Sequence, residues 1–378
     1  MMKPAAEEIF ENSFLPENVL AAETKEIKKN KFTDLPSSAG FVLFADNQNL
    51  PIALLTTANI RRTVKNKLAE QQEKTKRADL KSITAKIYYT VCPCKFRLAI
   101  KHLEAVKKIY GQNYKDHFTL ISPWYLTVNP NDKIPFFCVT RKPLFKNGEK
   151  ILGPFPTQKS ASVFMNTLQD VFRLCRKSEL ANYSEQAKSC PYLQMDACVG
   201  VCAGKISSED YRNIIEDAFS AGDEPEKTID NFNAEMQTAA KELSFEKAAL
   251  LRKRIEKLCA LKKPNYRWTS DLKKLKIVHI DKSGKIKPEG SKTKEQTYAV
   301  FAMNFFQIID LGDFLRDKPE IINESIKKRM ENLSESPDCD TLERFSIVTY
   351  FLYRSNPSGV WQKIHDKFDF TEAMTKTS

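Results

Sequence analysis

Four of the nine cysteines fall within one 28-residue window, at Cys175, Cys190, Cys198 and Cys202. Four thiolates without a histidine form the soft donor set that suits zinc or an iron–sulfur cluster. Gly200 and Gly204 give the backbone the freedom to wrap an ion. The spacing alone fits buried free thiols equally well. Cys92-Pro93-Cys94 is too tight for an ordinary ligand pair and reads as structural. The four histidines, His102, His117, His279 and His365, are scattered, which argues against a His-centred triad or a His-rich zinc site.

Charge supplies the second clue. The chain of 378 residues has a net charge of +12. Residues 61–115 carry 15 basic and 4 acidic side chains, and residues 247–292 carry the same numbers, so the remainder is acidic. Two concentrated basic blocks suit a polyanion, because Lys and Arg that neutralise phosphates release counterions. A solvated lysine-rich surface is the plainer reading. The acidic start of the chain excludes a cleaved leader, and no apolar run reaches the roughly 20 residues of a membrane span. A cytoplasmic location with no membrane partner is expected, where thiols stay reduced and the cysteines form no disulfide framework.

The pattern around these residues is mixed. Phe41–Phe44 and Ile52–Leu55 read as a hairpin, residues 57–76 as a basic helix, Ile87–Val91 as a strand and Leu98–Val106 as a second basic helix. Residues 118–121, 124–128 and 135–140 read as strands. Helices follow over 159–174 and 208–219, then a helical hairpin over 224–262 with Ile229, Phe232, Met236 and Leu243 on one arm and Ala248, Leu251, Ile255 and Leu258 on the other. Strands at 277–280 and 298–306 precede helices at 319–332 and 341–354.

The run Cys190, Gln194, Cys198, Cys202, followed by Ser208-Glu209-Asp210-Tyr211, resembles the cysteine loop of UvrC, the C subunit of the bacterial nucleotide-excision-repair nuclease. The resemblance implies that Cys175, Cys190, Cys198 and Cys202 hold a 4Fe-4S cluster, with zinc as the alternative. Leu152-Gly153-Pro154-Phe155-Pro156 is similar to the segment preceding that loop. Residues 241–252 are similar to the UVR motif, a helical hairpin that docks on a related hairpin of UvrB. Leu243, Phe245, Ala248, Ala249, Arg252 and Ile255 are then the partner-binding residues, and a hairpin packed only on its own protein is the alternative.

Residues 35–62 resemble the start of the family's GIY-YIG nuclease domain, with its chemistry missing. Val42 stands at the tyrosine position. Ala53 and Thr56 fall in the Tyr-Val-Gly-Lys run, Thr63 at the catalytic arginine and Arg97 near the metal-binding glutamate. Water activation, charge stabilisation and ion binding are all left unfilled. No catalytic residue is expected, and Mg2+ or Mn2+ matters only if cutting persists. Arg61, Arg62, Lys65, Lys67, Lys101, Lys107 and Lys108 suit holding a DNA backbone. The 116 residues after position 262 are too few for the family's RNase H-like nuclease and its helix-hairpin-helix elements, and Asp310, Asp313 and Asp317 read as solvated acids.

The expected fold is multidomain α+β. It comprises an N-terminal extension (1–34), a degenerate GIY-YIG-like sheet with helices (35–115), a β-rich extension (116–158), a cysteine-rich helical region (159–222), a UVR hairpin (223–262) and an α+β C-terminal domain (270–378). The expected function is a non-cutting, DNA-binding accessory or regulatory protein of nucleotide excision repair. Two alternatives are an endonuclease with a rearranged site and a UVR-motif adaptor in protein quality control.

Overall fold

The computed structural model describes residues 5, 6, 9, 20–69, 80–177, 190–317, 319–334, 336–364 and 369–375. The tail of the basic helix expected over 70–76, and His365, lie outside the described residues. The described residues are mixed helix and strand, organised around three four-stranded antiparallel sheets, which is the expected α+β class.

The first sheet is built from β1 (Leu20–Glu23), β2 (Gly40–Ala45), β3 (Pro51–Thr57) and β4 (Lys86–Val91), in the order β1-β4-β2-β3. Helix α1 (Thr24–Lys29) follows β1. Alternation in β2 sends Phe41, Leu43 and Ala45 to one face and Val42 and Phe44 to the other. Helix α2 (Ile60–Leu68) covers the second face through Ile60, Val64 and Leu68. Helix α3 (Lys95–Tyr110) covers the first through Ala105 and Ile109. Gly40 is required where β2 meets β4, since a Cβ there would lie 2.0 Å from the Thr90 carbonyl oxygen. The polar segment expected as an extension contributes β1, whose four residues pair with β4 from Leu20↔Tyr89 to Glu23↔Lys86.

The second sheet contains β5 (Trp124–Val128), β6 (Cys138–Thr140), β7 (Lys150–Phe155) and the short β8 (Ser270–Asp271), in the order β6-β5-β7-β8. Residues 118–121 do not form the expected strand. Phe118 and Leu120 pack against the core, yet this stretch has no paired strand beside it. Between β7 and β8 the chain makes a long helical excursion: α4 (Gln158–Phe172), α5 (Ser208–Asp223), α6 (Pro225–Lys241) and α7 (Phe245–Cys259). Thr157 and Ser160 form a reciprocal capping box at the start of α4. Gly222 lets α5 approach α4 and β7, because a Cβ would come within 2.6 Å of Leu152 Cδ1.

The third sheet, β9 (Lys276–Ile286), β10 (Glu295–Asn304), β11 (Ile308–Phe314) and β12 (Val360–Lys363), has the order β11-β10-β9-β12. Helix α8 (Pro319–Glu331) and the short α10 (Phe370–Thr375) pack on the face carrying Val278, Ile280, Val300 and Ala302. Helix α9 (Thr341–Leu352) joins α3 on the face carrying Ile277, Phe301 and Met303.

One continuous core unites the three sheets. It runs from Phe96 and Leu103 of α3 through Tyr125 and Ile151 to Trp268, Phe301, Phe305 and Phe351. Phe96 is its hub, meeting His279, Phe301, Phe351 and Trp361 edge-on at centroid distances of 5.0 to 5.4 Å.

Candidate metal centre and interaction surfaces

The loop after α4 gathers all four cysteines of the window. Arg173 ends α4 in the left-handed conformation, and its carbonyl accepts from the Val199 N–H at 2.9 Å, closing the loop on itself. Arg173 Nε donates to the Asp196 carbonyl at 2.9 Å. Tyr211 of α5 is fully buried and its hydroxyl accepts from the Cys175 N–H at 3.1 Å, which fixes the first cysteine against the helical frame. Cys190 caps the single turn Pro191–Gln194. Gly200 and Gly204, both at positive φ, bracket the turn that carries Cys202.

Cys175, Cys190 and Cys198 are buried and Cys202 is half-buried. A hydrogen bond from Cys175, opposed by burial and helped by the Gly200 N–H and by Arg173 and Arg176, pulls the Cys198 thiol down to about 6. Gly200 N lies 3.4 Å from Cys198 Sγ. The same Cys198 contact and burial push Cys175 upward. The arrangement therefore favours a thiolate at Cys198 with cations and N–H groups around it, the environment that sulfur ligands of a metal use. A tetrahedral zinc with Zn–S bonds of about 2.3 Å needs four sulfurs within about 4 Å of one another. Among the described residues, the set of three metal-ligating side chains whose atoms all fall within 4.8 Å is a different one, Cys94, His279 and Asp281. Within the tetrad, Cys175 contacts both Cys198 and Cys202.

The positions expected to correspond to nuclease chemistry are occupied by packing and pairing groups. Val42 is fully buried under α2, opposite Leu55 and Tyr89. Ala53 pairs with Phe44 and Thr56 with Phe41. Thr63 Oγ1 lies 2.6 Å from Thr57 Oγ1, a bond between two hydroxyls inside the domain. Arg97, in the first turn of α3, reaches β11. Its Nε and Nη2 meet the two Asp310 carboxylate oxygens at 2.5 and 2.7 Å, and its Nη1 meets Asp313 at 2.7 Å. The guanidinium also lies 5.5 Å over the Phe301 ring. Asp310 and Asp313, exposed as expected, also pair with Arg97, and Asp317 is exposed. Their Asp310-Leu311-Gly312-Asp313 spacing, with Gly312 at φ 100°, is the one local signal that could have marked the turn of β11.

The basic residues divide. Arg62, Lys65 and Lys67 are exposed on α2 opposite its apolar stripe. Lys108 is exposed on α3, and Lys101 pairs with Glu104 at 3.0 Å. Arg61 instead donates to the Leu35 and Thr33 carbonyls at 2.7 and 2.8 Å, pinning the turn before β2. Lys107 is held by Asp340 at 2.6 Å and by Glu343 of α9. Arg61 and Lys107 leave the set available to a polyanion, because local carbonyls and carboxylates already use their charge.

The hairpin α6–α7 presents its tip to solvent. Leu243 is 72% exposed and sits at φ 59°, and Phe245 is 66% exposed. Ala249 and Arg252 are exposed on α7 and Ala248 is partly so, with Arg252 reaching Glu256 at 3.2 Å. Ile255 lies against the core formed by α4 and α5 and is an internal contact, not a partner-facing one. Among the described residues, no helix is long and apolar enough to cross a membrane.

Comparison with known proteins follows this geography. Residues 123–221 match the family described as UvrC/Cho excinuclease, middle domain, and residues 226–259 match the UvrB/uvrC motif. The UvrABC system protein C of Methanothermobacter thermautotrophicus is 24% identical over 271 residues, covering 66% of this chain and 42% of the relative. That of Syntrophus aciditrophicus is 34% identical over 128 residues, covering 33% and 20%. That of Wolinella succinogenes is 30% identical over 161 residues, covering 43% and 26%. The matched stretches therefore span less than half the length of these relatives. No solved structure matches the chain.

Proposed function

For a chain that is UvrC-like in its middle domain and its UVR hairpin, we propose a non-cutting role in nucleotide excision repair: holding DNA and a UvrB-type partner without hydrolysing phosphodiester bonds. The observation that carries this reading is Arg97. A divalent ion at a phosphoryl-transfer site needs carboxylate oxygens. Here the aligned position offers a guanidinium, and the carboxylates Asp310 and Asp313 are engaged by it. Val42 beneath α2 and Thr63 bonded to Thr57 support the same reading, since neither side chain at these two positions can activate water or stabilise a leaving oxygen.

Two surfaces support the binding half of the proposal. Arg62, Lys65 and Lys67 on the outer face of α2 suit a phosphate backbone. The exposed apolar tip at Leu243 and Phe245 suits a partner hairpin. Cys175, Cys190, Cys198 and Cys202 would hold a 4Fe-4S cluster, which supplies a covalent tie between the end of α4 and the start of α5.

The test is a set of assays on one preparation made without oxygen. Damaged and branched duplexes are incubated with Mg2+ or Mn2+, DNA binding is measured against salt, and UvrB is offered as a partner. The proposal expects salt-sensitive DNA binding, UvrB capture lost on changing the hairpin tip, and no nick. A metal-dependent nick abolished by Arg62→Ala would overturn it in favour of an enzyme with a rearranged site. Capture of a Clp-type chaperone, without UvrB or DNA binding, would overturn it in favour of the adaptor reading. About four irons with sulfide, lost in Cys198→Ser, would support the cluster, and about one zinc would replace it.

A further inference from the structure

Where the first sheet's helix meets the third sheet, three costly buried groups converge. Cys94 immediately precedes α3 and is fully buried. His279 and Asp281 stand two positions apart on β9, so they project from the same face of the strand, the face turned toward α3. A ring nitrogen of His279, the Cys94 sulfur and an Asp281 carboxylate oxygen all lie within 4.8 Å of one another. This trio is separate from the cysteine tetrad, and its members come from segments some 185 positions apart.

The histidine carries the argument. Its ring is 0% exposed and stacked on Trp361 at 3.8 Å, with Phe96 edge-on at 5.2 Å and Phe301 at 5.8 Å. Nδ1 lies 3.0 Å from the Val360 carbonyl oxygen, which as an acceptor requires Nδ1 to bear the proton. Nε2 then carries a lone pair, and this atom is buried without a hydrogen-bond partner. A buried polar atom left without a partner costs about 1–3 kcal/mol, and a backbone carbonyl on the far nitrogen is the arrangement that orients metal-bound imidazoles. Asp281 is also buried, with one carboxylate oxygen accepting from the Lys282 N–H at 2.9 Å.

We propose that Cys94, His279 and Asp281 form a binding site for a divalent transition metal of the zinc class, which staples the third sheet to the start of α3. The donor types set the class: one thiolate, one neutral imidazole and one carboxylate suit zinc or cobalt, whereas magnesium and calcium prefer oxygen alone. Charge also balances. The metal brings two positive charges, the thiolate and carboxylate two negative ones, and the only proton released comes from the Cys94 thiol. A neutral complex is what a site walled by Phe96, Phe301 and Trp361 can accept. The staple would sit three residues before Arg97, beside the position where the nuclease family binds its own ion, and it serves structure where that ion serves chemistry.

The test uses the full chain carrying Cys198→Ser and Cys202→Ser, so that the tetrad is disabled and its failure cannot be confused with failure of this site. Metal content is measured after loading with zinc and exhaustive dialysis, alongside the visible spectrum of the cobalt-loaded protein. The expected result is about one metal per chain, with a cobalt spectrum showing a single thiolate ligand. Adding Cys94→Ser removes the thiolate band, and adding Asp281→Asn, which keeps shape and volume, lowers affinity at least about tenfold. Unchanged zinc affinity in a folded Asp281→Asn chain, as judged by its thermal melt, overturns the proposal. So does a tetrad-disabled chain that melts normally and binds no zinc or cobalt.

Discussion

Arg97 and Asp310 stand 213 positions apart in the chain and meet through two parallel hydrogen bonds of 2.5 and 2.7 Å, joining α3 to the opposite edge of the third sheet. Two-pronged pairing of this kind fixes direction as well as distance. The C-terminal sheet is thereby held over the first turn of α3.

Arg97→Ala should loosen that junction. The side chains are 19%, 35% and 33% exposed for Arg97, Asp310 and Asp313, between the solvent-screened and fully buried cases, so a loss of about 1–3 kcal/mol is expected. A urea titration measures it. Arg97→Lys should recover only part of the loss, because an ammonium cannot span both carboxylates.

Acid should weaken the fold before the carboxylates titrate. Burial holds His102 down to about 4, between the rings of Phe41 and Phe118, while an unfolded histidine takes its proton near 6.5. The unfolded state therefore binds more protons between these values, so stability is full above about pH 6.5 and declines as pH falls toward about 4, by about 2–3 kcal/mol. His102→Gln should flatten the slope of stability against pH in this window, and an unaltered slope would refute the assignment.

The hairpin tip should separate binding from folding. A leucine held at φ 59° and mostly exposed is strained without a folding return, whereas asparagine tolerates that conformation. Leu243→Asn with Phe245→Ser should change stability by less than about 0.5 kcal/mol. Affinity for a UvrB hairpin should fall at least about thirtyfold, the equivalent of about 2 kcal/mol. Calorimetric titration reads the second effect and thermal melting the first.

Salt should distinguish the two kinds of lysine. Replacing Arg62, Lys65 and Lys67 with alanine should reduce the slope of log affinity against log salt on duplex DNA by about 2–3, since each phosphate contact contributes about 0.9. Lys107→Ala should leave that slope unchanged and lower the melting temperature, because its partners are Asp340 and Glu343.

Much of this architecture was legible in the residues, and what escaped did so for physical reasons. The β2, β3, α2, β4, α3 order and the paired arms of the hairpin follow from apolar patterning, since the helices each bury a stripe and β2, buried on both faces, reads as a continuous apolar run. Strand β1, with mostly exposed side chains, and β12, Val360–Lys363, with half-buried ones, lack that contrast and take their identity from a neighbour's backbone. The cysteine window announced itself by local density. The partners of Arg97 and the trio around His279 did not, since their members lie far apart in the chain and meet only when three sheets share a core. Cys94 read as structural for the same reason.

The pairing of β7 with β8 has a mechanical side. Leu152↔Asp271 and Gly153↔Ser270 place the chain, after more than a hundred residues of cysteine loop and hairpin, beside the strand it departed from. The excursion is therefore a lever with both legs bolted to one plate. A pull on Leu243 would pass along α6 and α7, through their packing on α4 and α5, and reach the two adjacent strands β7 and β8 together.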